Sequence, residues 1–375
     1  MTTVIKNGQV LGDNFSFKQQ DIKLSGEIID TIGEVVEKAT IDAKGLYVVP
    51  GLIDIHTHGC NGCDFCDGKI SSLETISTYL AHNGITSFLG TSMSLSEEKL
   101  HSIFKIAKDF IRENKKGAYM HGINMEGPFF NELKKGAQSG DNLKNPDIEM
   151  FHRLNESSGN NIRVCCLSPE LDGSDQFTSS LKDSTVISLA HTTADYDISM
   201  KAIDLGASNI THLYNAMAPF THRSPGLVGA AFDSNVSCEL ICDGIHVHPA
   251  VIRSTFKTVG AERIILVSDS MCACGLSDGI YELGGQKVIV KDSTATLENG
   301  TIAGSTTNLM SCVKNCVDFG IPLEDALKAA SINPAKLIGV DDITGSVAVG
   351  KYADLMLMDE KFHIKHVFVK GKQVI

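Results

Sequence analysis

The stretch VVPGLIDIHTHGCNGCDF, residues 48–65, begins as a buried strand and then breaks off. Val48 to Ile55 form an apolar run rich in β-formers, two histidines follow at i and i+2, and the chain then dissolves into glycines and cysteines. Side chains two apart on a strand share a side, so His56 and His58 are expected to converge just past its end. Taken alone, a His-x-His pair is more often two turn residues than a site. Its weight depends on how the other strands end.

Further β-rich runs follow: ITSFLGTS (85–92), AYMHGINMEG (118–127), IRVCCLSPE (162–170), TVISLAHTT (185–193), NITHLYNAM (209–217), CELICDGIHVH (238–248) and RIILVSDSM (263–271). Helical patterns such as Leu73–His82 and Glu97–Asn114 lie between them. Eight strands alternating with helices predict an α/β fold, a parallel (β/α)8 barrel of the TIM type, with an open doubly wound sheet as the competing architecture. In a barrel the active site lies at the carboxyl ends of the strands. Here those ends carry His56 and His58, Glu126, His191, His212, His246 and Asp269. Any one of them has a bland reading as a cap, a turn or a satisfied core histidine. Their recurrence at six of eight strand ends does not.

Imidazoles and carboxylates are the usual ligands of zinc and similar divalent ions, and a catalytic site leaves one position for water. An ion there lowers the pKa of that water toward ~7, and a nearby aspartate can carry the proton. His56, His58, Glu126, His191, His212 and Asp269 therefore read as one metal-hydrolase site.

Composition narrows the field. Of 375 residues, 42% are hydrophobic and 21% charged, as suits a soluble α/β protein with one large core. The formal charge of −12 argues against nucleic acid or an anionic membrane surface as partner, since both need a basic face. No segment approaches the ~20 apolar residues of a membrane span. The opening MTTVIKNGQVLGDNF has no apolar core behind positive charges, and eleven scattered cysteines fit reduced thiols. A cytoplasmic setting is expected.

Three other signals are set aside. Gly345-Ser346-Val347-Ala348-Val349-Gly350-Lys351 matches a phosphate-binding loop up to its last position, but Tyr352 stands there and a strand pattern follows instead of a helix. Cys60, Cys63 and Cys66 lack a fourth cysteine in register for an iron–sulfur cluster. The pair Lys115-Lys116 reads as a solvated helix end.

The same residues carry a resemblance that covers nearly the whole chain. PGLIDIHTHG (50–59), NMEGPF (124–129), LAHTTA (189–194), THLYNAM (211–217), DGIHV (243–247), VSDSM (267–271), NPAKLIGV (333–340) and GSVAVGKYADLMLMD (345–359) resemble the amidohydrolase superfamily and, within it, the N-acetylglucosamine-6-phosphate deacetylase family. THLYNAM followed by Arg223-Ser224-Pro225-Gly226 is the more specific part. The resemblance implies a catalytic barrel over 52–340 beside a small β-sandwich built from 1–51 and 341–375. It also implies Glu126, His191 and His212 as ligands of a principal metal and Asp269 as catalytic acid/base. Some members replace the first histidine of the His-x-His motif and use one ion. This chain keeps both, which allows a second ion on His56 and His58 bridged by Glu126. The ion would be zinc, with iron, manganese or cobalt as other candidates. Many members carry histidine where this chain has Gln138; an amide can donate a hydrogen bond to a substrate carbonyl but cannot titrate.

The function so implied is hydrolysis of the acetamide of N-acetylglucosamine 6-phosphate to glucosamine 6-phosphate and acetate. His246, Arg223 and the backbone at Asn215 and Ala216 would hold the sugar phosphate. Arg223 would act in its own subunit or in the neighbouring one of a homodimer. The competing readings are an N-acetylgalactosamine-6-phosphate deacetylase or other amidohydrolase, and a barrel that has lost catalysis. The last would be expected to have lost ligands, and none is missing.

Overall fold

The computed structural model describes residues 2–114 and 116–375, so Lys115 of the basic pair lies outside the described residues. Eight parallel strands form the barrel: β1 (Leu52–Thr57), β2 (Ile85–Thr91), β3 (Tyr119–Met125), β4 (Ile162–Leu167), β5 (Val186–Leu189), β6 (Asn209–Ile210), β7 (Ser237–Ile241) and β8 (Ile264–Val267). Each pairs with the next in sequence. The open-sheet alternative fails at the seam between the first and last strands. There the Asp269 N–H donates to the His56 carbonyl (2.9 Å), and the His58 N–H to the Ser270 carbonyl (2.8 Å).

Fully buried Ile53, Ile55, Leu89, Val164, Ile241, Ile265 and Val267 form one cluster drawn from five of the strands, as side chains filling a closed barrel do. The helices pack outside. In Glu97–Glu113 the Ser96 hydroxyl accepts the Lys99 N–H at 3.4 Å and two glutamates occupy the first turn, an arrangement that satisfies the helix start and its dipole. Leu100, Ile103, Phe104, Ala107 and Phe110 recur at helical spacing and are the buried face.

Both ends of the chain build a second sheet. Strands 372–373, 364–369, 355–358, 47–50, 2–11, 17–25 and 28–33 lie side by side in that order, and 41–42 pairs with 2–11. Ile5, Val10, Ile22, Leu24, Val48, Leu355, Leu357 and Phe368 are its own apolar cluster. Strand 47–50 leads through Gly51 directly into β1, so this sheet grips the foot of the strand whose other end carries the histidine pair. The rejected phosphate loop lies nearby, and the strand Leu355–Met358 follows it, as the sequence pattern required. A three-stranded antiparallel sheet, 279–283, 286–291 and 294–297, is inserted after β8. No helix among the described residues is long and apolar enough to cross a membrane.

Candidate active site

β1 carries the histidine pair on an irregular end. Its register on β2 runs Asp54 to Phe88 and then Thr57 to Gly90, so one extra residue bulges out where the pair begins. Bulges bend a strand and re-aim its side chains. The glycine after the pair has a spatial reason: a Cβ at Gly59 would stand 2.1 Å from the Cys63 carbonyl oxygen. Three of the other site strands end in strained backbone. His191, His212 and Asp269 have φ of 47°, 29° and 47°, a region that is sparsely populated by residues other than glycine and is typical of functional positions.

These turns bring the expected ligands together around Glu126. Its Oε1 lies 3.2 Å from Nε2 of His191, 3.2 Å from Nε2 of His212 and 3.5 Å from Nε2 of His56. Its Oε2 lies 3.4 Å from Nε2 of His58. Two groups able to hold an ion result, His56–His58–Glu126 and Glu126–His191–His212, sharing the one carboxylate. No cysteine takes part in either.

The donor chemistry fits a cation. Nδ1 of His191 faces the Lys134 carbonyl at 2.9 Å, and Nδ1 of His56 faces the Glu239 carboxylate at 2.8 Å. Both partners only accept, so each ring keeps a proton on Nδ1 and has Nε2 left as the nitrogen to give to an ion. The Nε2 atoms of His191 and His212 nonetheless face each other at 3.1 Å, beside a carboxylate oxygen. Nε2 of His56 is buried with no hydrogen-bond partner. Ligands of a tetrahedral ion bound at ~2.1 Å stand about 3.4 Å apart, close to the separations seen here.

The electrostatics follow from the same crowding. Burial alone pushes the Glu126 carboxyl up, but the imidazoles around it hold it well below the usual carboxylate range. Burial likewise opposes ionisation of Asp269, and His56 and His58 reverse this, holding it at about 2. Asp54, buried beneath His56, goes the other way. Burial raises it to about 6 despite hydrogen bonds from Ser268 and the His56 N–H.

The cluster floors a pocket of about 280 Å³ lined by His58, Gln138, Asn215, Ala216, His246 and Asp269, among others. Met93, Leu283 and Ile302 form an apolar part of its wall, the last two reaching it from the inserted sheet and the segment behind it. Nδ1 of His246 pairs with Asp243 at 2.7 Å, which lifts the imidazole above its ordinary value against the opposing effect of burial. The Gln138 amide is fixed at both ends: the Ser94 N–H donates to its oxygen, and its nitrogen donates to Glu126 Oε2, each at 2.7 Å. Arg223 is the expected residue not brought in. It is exposed, outside the pocket lining, with Nη1 2.7 Å from Nε2 of His222.

Sequence reading missed Glu239, Asp243, Asp54 and Ser94. For Glu239 and Asp54 a signal existed, a carboxylate inside an otherwise apolar strand. For Ser94 there was none.

An amidohydrolase family model matches residues 176–374. The N-acetylglucosamine-6-phosphate deacetylase of Bacillus subtilis is 37% identical over 98% of this chain and 93% of that protein. The N-acetylgalactosamine-6-phosphate deacetylase of Escherichia coli O157:H7 is 31% identical over 99% of each. Among solved structures, the N-acetylglucosamine-6-phosphate deacetylase of Pasteurella multocida superposes with a TM-score of 0.94 at 30% identity, over 100% of this chain and 99% of that one. A mutant enzyme of the same name from Mycobacterium smegmatis, in complex with N-acetyl-D-glucosamine-6-phosphate, gives 0.94 at 29% identity with the same coverage.

Proposed function

The chain belongs to the amidohydrolases, in the N-acetylglucosamine-6-phosphate deacetylase family, and from that membership we propose that it hydrolyses the acetamide of N-acetylglucosamine 6-phosphate to glucosamine 6-phosphate and acetate. The observation that carries the reading is one buried carboxylate, Glu126, shared between two histidine pairs at the floor of a pocket that also holds Asp269.

Glu126, His191 and His212 would hold one divalent ion, and His56, His58 and Glu126 a second; the donor set suits zinc. An ion at such a site supplies an electrophile for the acetyl carbonyl and makes water acidic enough to attack at neutral pH. The remaining work falls to side chains. Asp269, ionised at neutral pH, accepts the proton of the attacking water and delivers it to the departing nitrogen, since an amine is expelled far more easily than its anion. Gln138 steadies Glu126, and the ring of His246, steadied by Asp243, offers Nε2 to the sugar or the carbonyl. The barrel, 52–340, would carry the chemistry, with the sheet of residues 1–51 and 341–375 as its foundation.

The same reading includes a homodimer in the cytoplasm. A pocket in a chain of net charge −12 needs a local cation for a phosphate dianion. Arg223 is exposed and outside its own pocket, and in this reading it would serve a neighbouring one. All eleven cysteines are free, as in a reducing compartment.

The test is acetate release from N-acetylglucosamine 6-phosphate, abolished by chelation and restored by zinc or another divalent ion. Full activity in exhaustively metal-free protein would falsify the metal assignment. The Escherichia coli relative supports the C4 epimer, N-acetylgalactosamine 6-phosphate, as a second substrate. Measuring kcat/KM for both sugars in one preparation decides the preference.

A further inference from the structure

Glu239 lies on β7 with no solvent exposure and takes no part in either ligand group. Its Oε2 accepts from Nδ1–H of His56 at 2.8 Å and from the His212 N–H at 3.3 Å; its Oε1 accepts from the Asn209 amide at 2.8 Å. All three neighbours are donors, and among the described residues no lysine or arginine pairs with it; its one ionisable partner is His56. Such burial opposes a charge unless something else requires it.

The four imidazoles are not anchored alike. The far nitrogen of His191 is held by a carbonyl, and those of His58 and His212 have no partner. Only His56 is held by a carboxylate. That contact fixes the ring's proton on Nδ1, turns the bare Nε2 toward Glu126 and Asp269, and makes the imidazole a stronger ligand.

We infer that Glu239 is the positioning residue of the second ion: it makes His56 a metal ligand, and thereby commits this chain to a two-ion site. The inference rests on the two-ion reading above. Glu239 touches His212 only through the backbone, which neighbouring strands also hold, as in the Thr211 N–H to Leu189 carbonyl bond. The ion on Glu126, His191 and His212 should therefore depend on it far less.

The experiment titrates Zn(II) into metal-free protein against a chromophoric chelator, for wild type, Glu239→Gln, His56→Ala and the double variant. Wild type should take up two ions. Glu239→Gln keeps shape and an acceptor but loses the charge, and should weaken one ion by roughly 10- to 100-fold while leaving the other unchanged. In the His56→Ala background the same change should add no further loss, because the pathway runs through that ring. Thermal melting of the metal-free proteins provides the control. A purely structural Glu239 would lower the melting temperature and leave both affinities as they were.

Wild-type affinities for both ions in Glu239→Gln would overturn the inference, as would equal weakening of both ions or an undiminished effect in the double variant. A wild-type chain that binds a single ion and keeps it in His56→Ala would overturn it too. Acetate release is read separately. Two bound ions without turnover would sink the deacetylase assignment and leave the role of Glu239 standing.

Discussion

The carboxylate of Asp269 stands 3.2 Å from Nε2 of His58 and 3.7 Å from Nε2 of His56. One carboxylate therefore faces the same two nitrogens as Glu126, from another strand end. That placement suits a proton carrier beside the ion site. Asp269→Asn keeps the shape and cannot carry the proton. Turnover is expected to fall at least ~100-fold with both ions retained, since general acid/base catalysis contributes roughly 10²–10⁴. Near-normal kcat in a folded Asp269→Asn protein would remove it from the mechanism.

If the two ions divide as proposed, His58→Ala should release one and retain the other, with partial loss of activity. Elemental analysis of purified protein checks the count. A single ion in the wild type, unchanged in His58→Ala, refutes the division.

Arg223→Met tests phosphate recognition. Arginine forks onto phosphate oxygens with two charge-assisted bonds. Losing that contact is expected to lower kcat/KM for the 6-phosphate sugar by about 10- to 150-fold, or ~1.5–3 kcal/mol. Activity on unphosphorylated N-acetylglucosamine, which never makes the contact, should hardly change. Equal losses on both sugars would point instead to damage of the fold or the ion site. Mixing Arg223→Met with His191→Ala protein tests the neighbouring-subunit geometry. If Arg223 acts across the interface, hybrid dimers pair an intact ion site with an intact arginine, and the mixture exceeds the summed activity of the two parents.

The pH dependence of stability has a source far from the site. His121, on β3, is buried against the Ser87 hydroxyl at 3.0 Å. Burial, helped by Lys370 and Arg163, pulls its imidazole down to about 3. An unfolded histidine titrates near 6.5, so between 6.5 and about 3 the unfolded chain binds the extra proton. Acidification through that window destabilises the fold, by up to roughly 1.4 kcal/mol per pH unit from this group. Denaturant melts of His121→Gln should fall less steeply than wild type from pH 6.5 to 4. Parallel slopes would exclude His121 as a source.

Much of this molecule could be read before any coordinates, for identifiable reasons. Strands buried on both faces leave continuous apolar runs, and all eight stand where those runs lie. NITHLYNAM kept only Asn209–Ile210 as strand, because His212, Tyr214 and Ala216 take positive φ and coil the chain inward. The inserted sheet, 279–297, escaped notice because its strands are short and alternate exposed and buried residues, and its one apolar run, Val288-Ile289-Val290, is only three residues long. The ligands were legible because each ends a strand. Glu239 was not, because it lies within one, where a lone carboxylate gives no hint of which ring it faces. The surroundings of Arg223 were equally hidden, since a loop arginine carries no periodicity.

The seam that closes the barrel has a consequence for biosynthesis. The His56 carbonyl accepts from the N–H of Asp269, two residues that are far apart in the chain. Strand 47–50, paired on one edge with 2–11, likewise awaits 355–358 on its other edge. A nascent chain that has released its first histidine pair from the ribosome must therefore keep it unpaired until β8 emerges, and its first sheet incomplete until the last strands follow. Contacts of such long range slow folding and leave sticky intermediates exposed. Zinc supplied during synthesis would meet a finished binding site only after the eighth strand has docked, so ion uptake by stalled chains of graded length should appear as a step and not as a ramp.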